Sequence, residues 1–364
     1  MGSRVFVYVF IPYCLNNGQL ESPDYDTPAT WAELANAFDE LSITWKWQPV
    51  TFENLDGIIE KMTLSQHKEG SIVLNFCDGD EINGFPGISV VRKLEAKGIV
   101  FSGANSNYYH KTTSKILMKE NFEREHVSTA PYRAITDLKK DIRGLCADMG
   151  TPLIVKPAIS AASWGITLKS IVYTDEEILI QVEELLKGCH GTVFTEGEIF
   201  AEKFIKGPEF TVFIVGSSNR PEGLNIYHPV ERAFHEGLPP MERLLSYERY
   251  WGLYEEEAPL PLGQALYTYR LVEDEDLKER ICDLALRAYM SVDGCGYGRV
   301  DIRLDNESGE LFVLEVNSNC GISSDDQTSV GQILRLSGAS YTHLLSEILN
   351  DAVIRHEGEG KSKL

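Results

Sequence analysis

Residues 299–317 place two carboxylates, a carboxamide and a guanidinium at two-residue spacing. Val300, Ile302 and Leu304 alternate with Arg299, Asp301 and Arg303. After a turn of Asp, Asn, Glu, Ser and Gly, Phe312, Leu314 and Val316 alternate with Val313, Glu315 and Asn317. Period-two alternation around turn residues predicts a β-hairpin. If it closes about Ser308, Asp301 opposes Glu315 and Arg299 opposes Asn317, with Cβ atoms about 4.5–5.5 Å apart. Two bare carboxylates so placed would repel, so a cation belongs between them. Arg299 or Arg303 can be that cation. So can a divalent ion: oxygen ligands of this kind suit Mg²⁺, which takes a few carboxylates and completes its shell with water and phosphate. A merely solvated polar face is the other reading.

Two further segments carry chemistry. Leu153, Ile154, Val155 and Lys156 read as a strand ending in lysine, followed by a loop of small residues through Ser163 and Gly165. A strand-borne lysine reaches phosphate oxygens while loop N–H groups wrap them, and Gly165 permits close backbone approach. The plainer alternative is a surface lysine before a turn. Residues 201–212 form a strand that halts at Lys206, Gly207 and Pro208 and restarts. Glu202, Phe204 and the Lys203, Phe204 and Ile205 backbone could serve an adenine ring, and Glu209 could accept from ribose hydroxyls. Alone, the pattern is also that of an ordinary edge strand.

The elements that must position these groups change character along the chain. Strands are expected at 4–11, 43–50, 71–76 and 99–101, with helices at 30–41, 55–64 and 90–96 between them. That alternation argues for a parallel, doubly wound sheet, with loops at Asp78 and Phe85–Gly87 on the ligand-binding edge. From about 111 the order becomes helix 113–122, a helix through 149, strands at 153–158 and 166–172, and helix 175–186. Three β segments follow at 199–205, 209–216 and 224–230. Residues 235–262 have no clear period and read as a long functional loop. Helix 277–290, the hairpin, and two helices near 327–336 and 341–354 complete the chain.

A net charge of −21 argues against nucleic acid or an anionic membrane as partner; any polyanion must meet cations gathered locally. The runs Glu255–Glu257 and Glu273–Asp276 read most simply as solvated surface. Seven scattered cysteines without a CxxC pair suit a reduced, cytoplasmic protein, although Cys320 lies beside the hairpin. No apolar run approaches a membrane span, and residues 5–11 are too short for a secretion signal. The final Ser362, Lys363 and Leu364 match the peroxisomal address, which acts in a eukaryotic host at a free terminus.

Taken in order, these segments resemble the ATP-grasp superfamily, and within it the D-alanine–D-alanine ligases. The resemblance rests on Val155-Lys156-Pro157 with Ser163 and Gly165, on Glu202 to Ile205 with Glu209, and on Lys115 after Gly103. Its most specific part is Arg299-Val300-Asp301, Leu314-Glu315-Val316-Asn317 and Gly321. It implies an α/β chain, α+β in its C-terminal half: an ATP-grasp fold behind a doubly wound pre-grasp domain. The expected domains are 1–110, a central lobe 111–200, a C-terminal domain 201–355 and a flexible tail 356–364. It also implies ATP held by Lys115, Lys156, Ser163, Glu202, Lys203, Phe204, Ile205 and Glu209. Two Mg²⁺ ions (Mn²⁺ as substitute) would sit on Asp301, Glu315 and Asn317, with Arg299 and the Gly321 N–H steadying an oxyanion. Dimers are common among such proteins, so the resemblance leaves a homodimer open.

The activity implied is amide-bond formation between a small-molecule carboxylate and an amine through an acyl phosphate. The chain departs from the family pattern in several places. No glutamate follows the first strand, Cys77-Asp78-Gly79 stands where a histidine-glycine is usual, and Arg249 and Tyr250 are the only counterparts of a substrate-covering lysine-tyrosine pair. Asp325 and Asp326 stand where a serine usually meets the acceptor carboxylate. As substrate contacts they would disfavour a plain amino-acid acceptor, so D-alanine is not expected as substrate. Their alternative role is capping the next helix. An ATP-grasp kinase and a non-catalytic nucleotide-binding protein are the rival classes.

Overall fold

The computed structural model describes residues 5–361 except 17–18, 23, 65–69, 83, 189–193 and 195–198; Ser362, Lys363 and Leu364 lie outside the described residues. The first sheet has the expected alternation. Strand β1 (Phe6–Pro12) is apolar nearly throughout and takes a central position, as a strand covered on both faces must. A hairpin of β2 (Cys14–Asn16) and β3 (Gln19–Glu21), too short to carry a periodic signal, precedes helix α1 (Pro28–Glu40). Thr27 caps that helix, accepting from the Thr30 N–H, and Pro28 fills a position whose N–H has no helical partner. Strand β4 (Thr44–Val50), helix α2 (Leu55–Leu64), β5 (Ser71–Asn75), helix α3 (Ile88–Ala96) and β6 (Val100–Phe101) complete a parallel sheet of order β4-β1-β5-β6.

The helix expected at 113–122 is two helices, α4 (Ser106–Thr113) and α5 (Lys115–Arg124). Ser114 leaves the helical region and caps α5, which makes Lys115 its first residue. The central sheet follows: β7 (Tyr132–Ile135), the short helix α6 (Leu145–Met149), β8 (Leu153–Pro157), β9 (Ile171–Val172), α7 (Asp175–Leu186) and β10 (Ile199–Lys203). Its order is β7-β10-β8-β9, all antiparallel. The strand expected over 166–172 is instead a 3₁₀ turn at Leu168–Ser170 before β9. Thr167 and Ser170 cap that turn reciprocally, and these local side-chain bonds compete with strand pairing.

Strands β11 (Glu209–Val215), β12 (Asn225–Ile226) and β13 (Val230–Phe234) precede a segment that is not structureless. It holds helix α8 (Tyr247–Trp251) and 3₁₀ turns at Pro240–Glu242 and Pro261–Gly263. After β14 (Tyr267–Leu271) and helix α9 (Glu275–Ser291) comes the hairpin of β15 (Tyr297–Leu304) and β16 (Leu311–Ser318). The sheet runs β14-β13-β11-β15-β16, with β12 on β11. Helices α10 (Ser329–Ser337) and α11 (Tyr341–Lys361) end the chain, so the expected tail is helical as far as Lys361. No helix among the described residues is long and apolar enough to cross a membrane.

The first and third sheets share their apolar cores: one contains Phe10, Val73, Phe210, Val300 and Val316, the other Val9, Phe38, Phe213, Tyr297 and Leu344. The central sheet has its own, around Val155, Val182, Phe194 and Ala201. The junction of the first and third sheets is a contact of backbone on backbone. Gly296 has φ +79°, and a Cβ there would lie 2.4 Å from the Gly103 carbonyl oxygen. The Ala104 N–H donates to Asn319 Oδ1 at 2.8 Å beside it. Gly296→Ala is therefore expected to destabilise the fold by about 1–3 kcal/mol from backbone strain alone, read as a lower urea midpoint at unchanged m-value.

Candidate active site

The hairpin register is the expected one where it matters: Asp301 pairs with Glu315 and Arg299 with Asn317. Beyond that point it shifts. Ile302 pairs with Val313, so Leu314 is an extra residue in a β-bulge. Leu311, Val313 and Val316 are buried, while Phe312 and Leu314, the residues expected on the core face, are only half-buried. The bulge falls where the free edge of β16 is covered: Val313 N–H donates to Ser128 O at 2.9 Å, and Val313 O accepts from Thr129 Oγ1 at 2.9 Å.

The polar groups converge. Asn317 Nδ2 donates to Asp301 Oδ2 at 3.1 Å and to Glu315 Oε1 at 3.3 Å. Arg299 is the cation that faces Asp301, with Nη2 2.8 Å from Oδ2; Thr211 Oγ1 donates to the other oxygen at 2.9 Å. Burial opposes ionisation of Glu315, but Lys115, Arg299 and Lys156 hold its carboxyl below the usual range. Lys115 Nζ lies 3.3 Å from Glu315 Oε2 and donates to Ser160 O at 2.6 Å. Gly321 is exposed, and a Cβ built on it meets nothing within 4 Å. The donor set fits a magnesium site. Two carboxylates are hard oxygen ligands gathered at one spot with Lys115 beside them, and the Asn317 amide that bridges them would present its oxygen to an ion by turning over.

Lys156 ion-pairs with Glu202, which is 2 % exposed, and Lys119 Nζ lies 2.7 Å from the other Glu202 oxygen. Glu202 is thus a hub between two ammonium groups and not an open acceptor for adenine. Burial works against its charge, yet Lys119 and Lys156 together hold it down to about 2. Lys119 was not expected from the sequence. Its signal was its spacing: it follows Lys115 by four residues on α5, one turn along the same helix face.

Lys203 Nζ is exposed and donates to Thr151 O at 3.1 Å, and the Phe204 N–H donates to Pro152 O at 3.1 Å. The Phe204 ring lies beneath the Arg303 guanidinium, 5.2 Å from it, and Arg303 donates to Ile205 O at 3.1 Å. Glu209 is already held by Arg232 and by Arg303, whose Nη2 is 2.9 Å away, so both its oxygens are engaged by guanidinium groups. Arg303 therefore serves Glu209 and not Asp301.

Other expected contacts belong to the cover. Ser163 Oγ donates to Leu245 O at 2.8 Å, and the Trp164 and Tyr247 rings pack with centroids 4.7 Å apart at a tilt of 52°, tying the 160–165 loop to the 235–262 segment. Ser163 thus holds the cover where it was expected to hold phosphate. Ala162 and Ser163 both have positive φ, a costly conformation for non-glycine residues that clusters at functional loops. Gly165 makes close approach possible, but toward Leu185 and Pro157. Arg249 is 6 % exposed and bound to Glu242 and Glu257, so it braces the cover and is not a substrate contact. Tyr250 is exposed and meets Trp251 edge-on.

Asp325 and Asp326 are exposed in a turn. Asp325 Oδ1 accepts from Gln327 N and Asp326 Oδ1 from Gln327 Nε2. Thr328, not either aspartate, caps α10. The basis for excluding an amino-acid acceptor therefore falls away. Cys320 is buried and its thiol is pushed up to about 12 by desolvation, so it is no thiolate nucleophile.

With its carboxyl below the ordinary 4.5, Glu202 stabilises the fold fully above that pH, and the contribution is lost as pH falls toward about 2. Lys119→Met should cost about 3 kcal/mol and shift acid unfolding, followed by circular dichroism, to higher pH.

Comparison with known proteins identifies the family. Residues 124–350 match the family described as D-ala D-ala ligase C-terminus. The chain is 27% identical over 266 residues to a D-alanine–D-alanine ligase of Polynucleobacter asymbioticus, covering 73% of this chain and 69% of that one. It is 28% identical over 260 residues to a D-alanine–D-alanine ligase of Acinetobacter baumannii, covering 71% and 73%. Among solved structures, the D-alanine–D-alanine ligase from Bacillus anthracis complexed with ATP superposes with TM-score 0.66 at 20% identity, covering 98% of this chain and 99% of that one. A D-Ala:D-Ser ligase from Enterococcus faecalis gives 0.64 at 15%, covering 96% and 100%. With relatives so named, the expectation that D-alanine is not the substrate has no support. The chain belongs to the D-alanine–D-alanine ligase family of ATP-grasp proteins, ATP-dependent and ADP-forming ligases that make carbon–nitrogen bonds.

Proposed function

We propose that this protein joins two small amino acids, D-alanine being the first to test, at the expense of ATP. The observation that carries the reading is the convergence of Asp301, Glu315 and Asn317, with Lys115 on the flank of Glu315. Lys115 and Lys156 take the phosphates, and the backbone at 203–205 borders the adenine. Asp301, Glu315 and Asn317 would hold Mg²⁺, which when bound neutralises phosphate charge. The γ-phosphoryl passes to a carboxylate oxygen of the first amino acid, ADP leaves, and the uncharged amine of the second attacks the acyl carbon. Phosphate departs and the new amide nitrogen gives up its proton. Arg299 and the Gly321 N–H steady the oxyanion that forms, a contribution of the size where one lost donor costs about 10²–10³ in rate. The 235–262 segment, tied to the 160–165 loop, keeps water from the acyl phosphate.

Hydroxylamine trapping during turnover should give a hydroxamate and free phosphate. A stable phosphoester would instead mean a kinase, and no ADP release across a panel of amino acids would overturn the reading. Glu315→Gln should lower ADP release by about 10²-fold or more while the circular-dichroism spectrum and melting temperature stay close to the parent.

A further inference from the structure

The cleft has a second wall that the reaction above does not use. Asp78 follows β5 at the edge where loops of a parallel sheet bind ligands. Its Oδ2 accepts a 2.7 Å hydrogen bond from Tyr25, whose ring packs 5.4 Å from Phe76. Phe76 shares one apolar cluster with Tyr297, Cys320 and Ile322, the residues flanking Arg299 and Gly321. Gly103, which follows β6 at the same edge of that sheet, lies against Asn319 and the Tyr297 ring, so the edge that carries Asp78 abuts the loop after β16. The Tyr297 hydroxyl there is buried with no hydrogen-bond partner among the described residues.

The contrast with the other cleft carboxylates is in their counterions. Glu202 has Lys119 and Lys156, Glu209 has Arg232 and Arg303, Asp301 has Arg299, and Glu315 has Lys115. Among the described residues no lysine or arginine pairs with Asp78, and its charged neighbour is another carboxylate, Asp24. Asp78 faces solvent, but the protein around it desolvates the carboxyl and pushes it up to about 7. It is held in place by a hydrogen bond and lacks a cation.

We propose that Asp78, positioned by Tyr25, receives the ammonium group of the amino acid whose carboxylate is phosphorylated, and so selects α-amino acids over plain carboxylic acids. The inference rests on the ligase reading. The activated amino acid is favoured over the acceptor by chemistry: an amine paired as ammonium has no lone pair for attack, whereas the first substrate's ammonium can stay charged throughout. Arg299 then lies toward its carboxylate end.

The test measures ADP release for D-alanine, L-alanine and glycine against their des-amino partners propionate and acetate. It compares the parent protein with Asp78→Asn, Asp78→Glu and Tyr25→Phe. The parent should favour the amino acid. Asp78→Asn should raise KM for the amino acid by about 10–100-fold, leave KM for ATP near the parent value and reduce the preference over the des-amino acid by the same factor. Asp78→Glu should restore part of it, and Tyr25→Phe should fall between parent and Asp78→Asn. Asp78→Asn is isosteric and solvent-facing, and an unchanged urea midpoint excludes misfolding. An active parent whose preference survives Asp78→Asn overturns the proposal alone. A parent that releases ADP with no acid overturns the ligase reading, and this inference with it.

Discussion

Carboxylates removed from water must find partners or lose their charge, and the cleft is organised around that requirement. Glu202, Glu209, Asp301 and Glu315 each meet at least one cationic side chain, in a chain whose net charge is −21. The few cations that such a chain can spend on any one place are concentrated here. The arrangement also sets the chemistry. Ion pairs keep Glu202 and Glu315 ionised despite burial, so the lysines beside them stay oriented before any phosphate arrives. A polyanion entering the cleft exchanges one set of partners for another and need not assemble them.

The sequence made the hairpin readable because side-chain direction along a strand has a period of two, so the opposition of Asp301 and Glu315 follows from counting. The bulge at Leu314 was not readable. It answers to the 128–129 segment lying along the strand edge, a contact between residues far apart in the chain. The first sheet was legible for the same reason as the hairpin, whereas strand 166–172 was not, because Thr167 and Ser170 offer the backbone a competing local set of bonds.

Side-chain partners were the least visible layer. Ser163, Glu209 and Arg249 stand in or near segments whose types suggest ligand contact, yet each is engaged by protein: Leu245 O, two arginines, and two glutamates. Lys119 and Arg232 attracted no notice because a lone lysine on a helix or arginine on a strand is ordinarily solvated surface. Only the fold reveals that they end in the interior against Glu202 and Glu209.

The main apolar core of the central sheet is its own, joined to the rest only by small clusters such as Ile154 and Phe204 with Leu244, while the first and third sheets divide two large cores between them. Cooperativity follows shared burial. The lobe that carries Lys156 can therefore loosen as a unit while the remainder stays closed, and heat should enter the molecule in two calorimetric steps. The half of the nucleotide grip that lies on that lobe would be the first to let go.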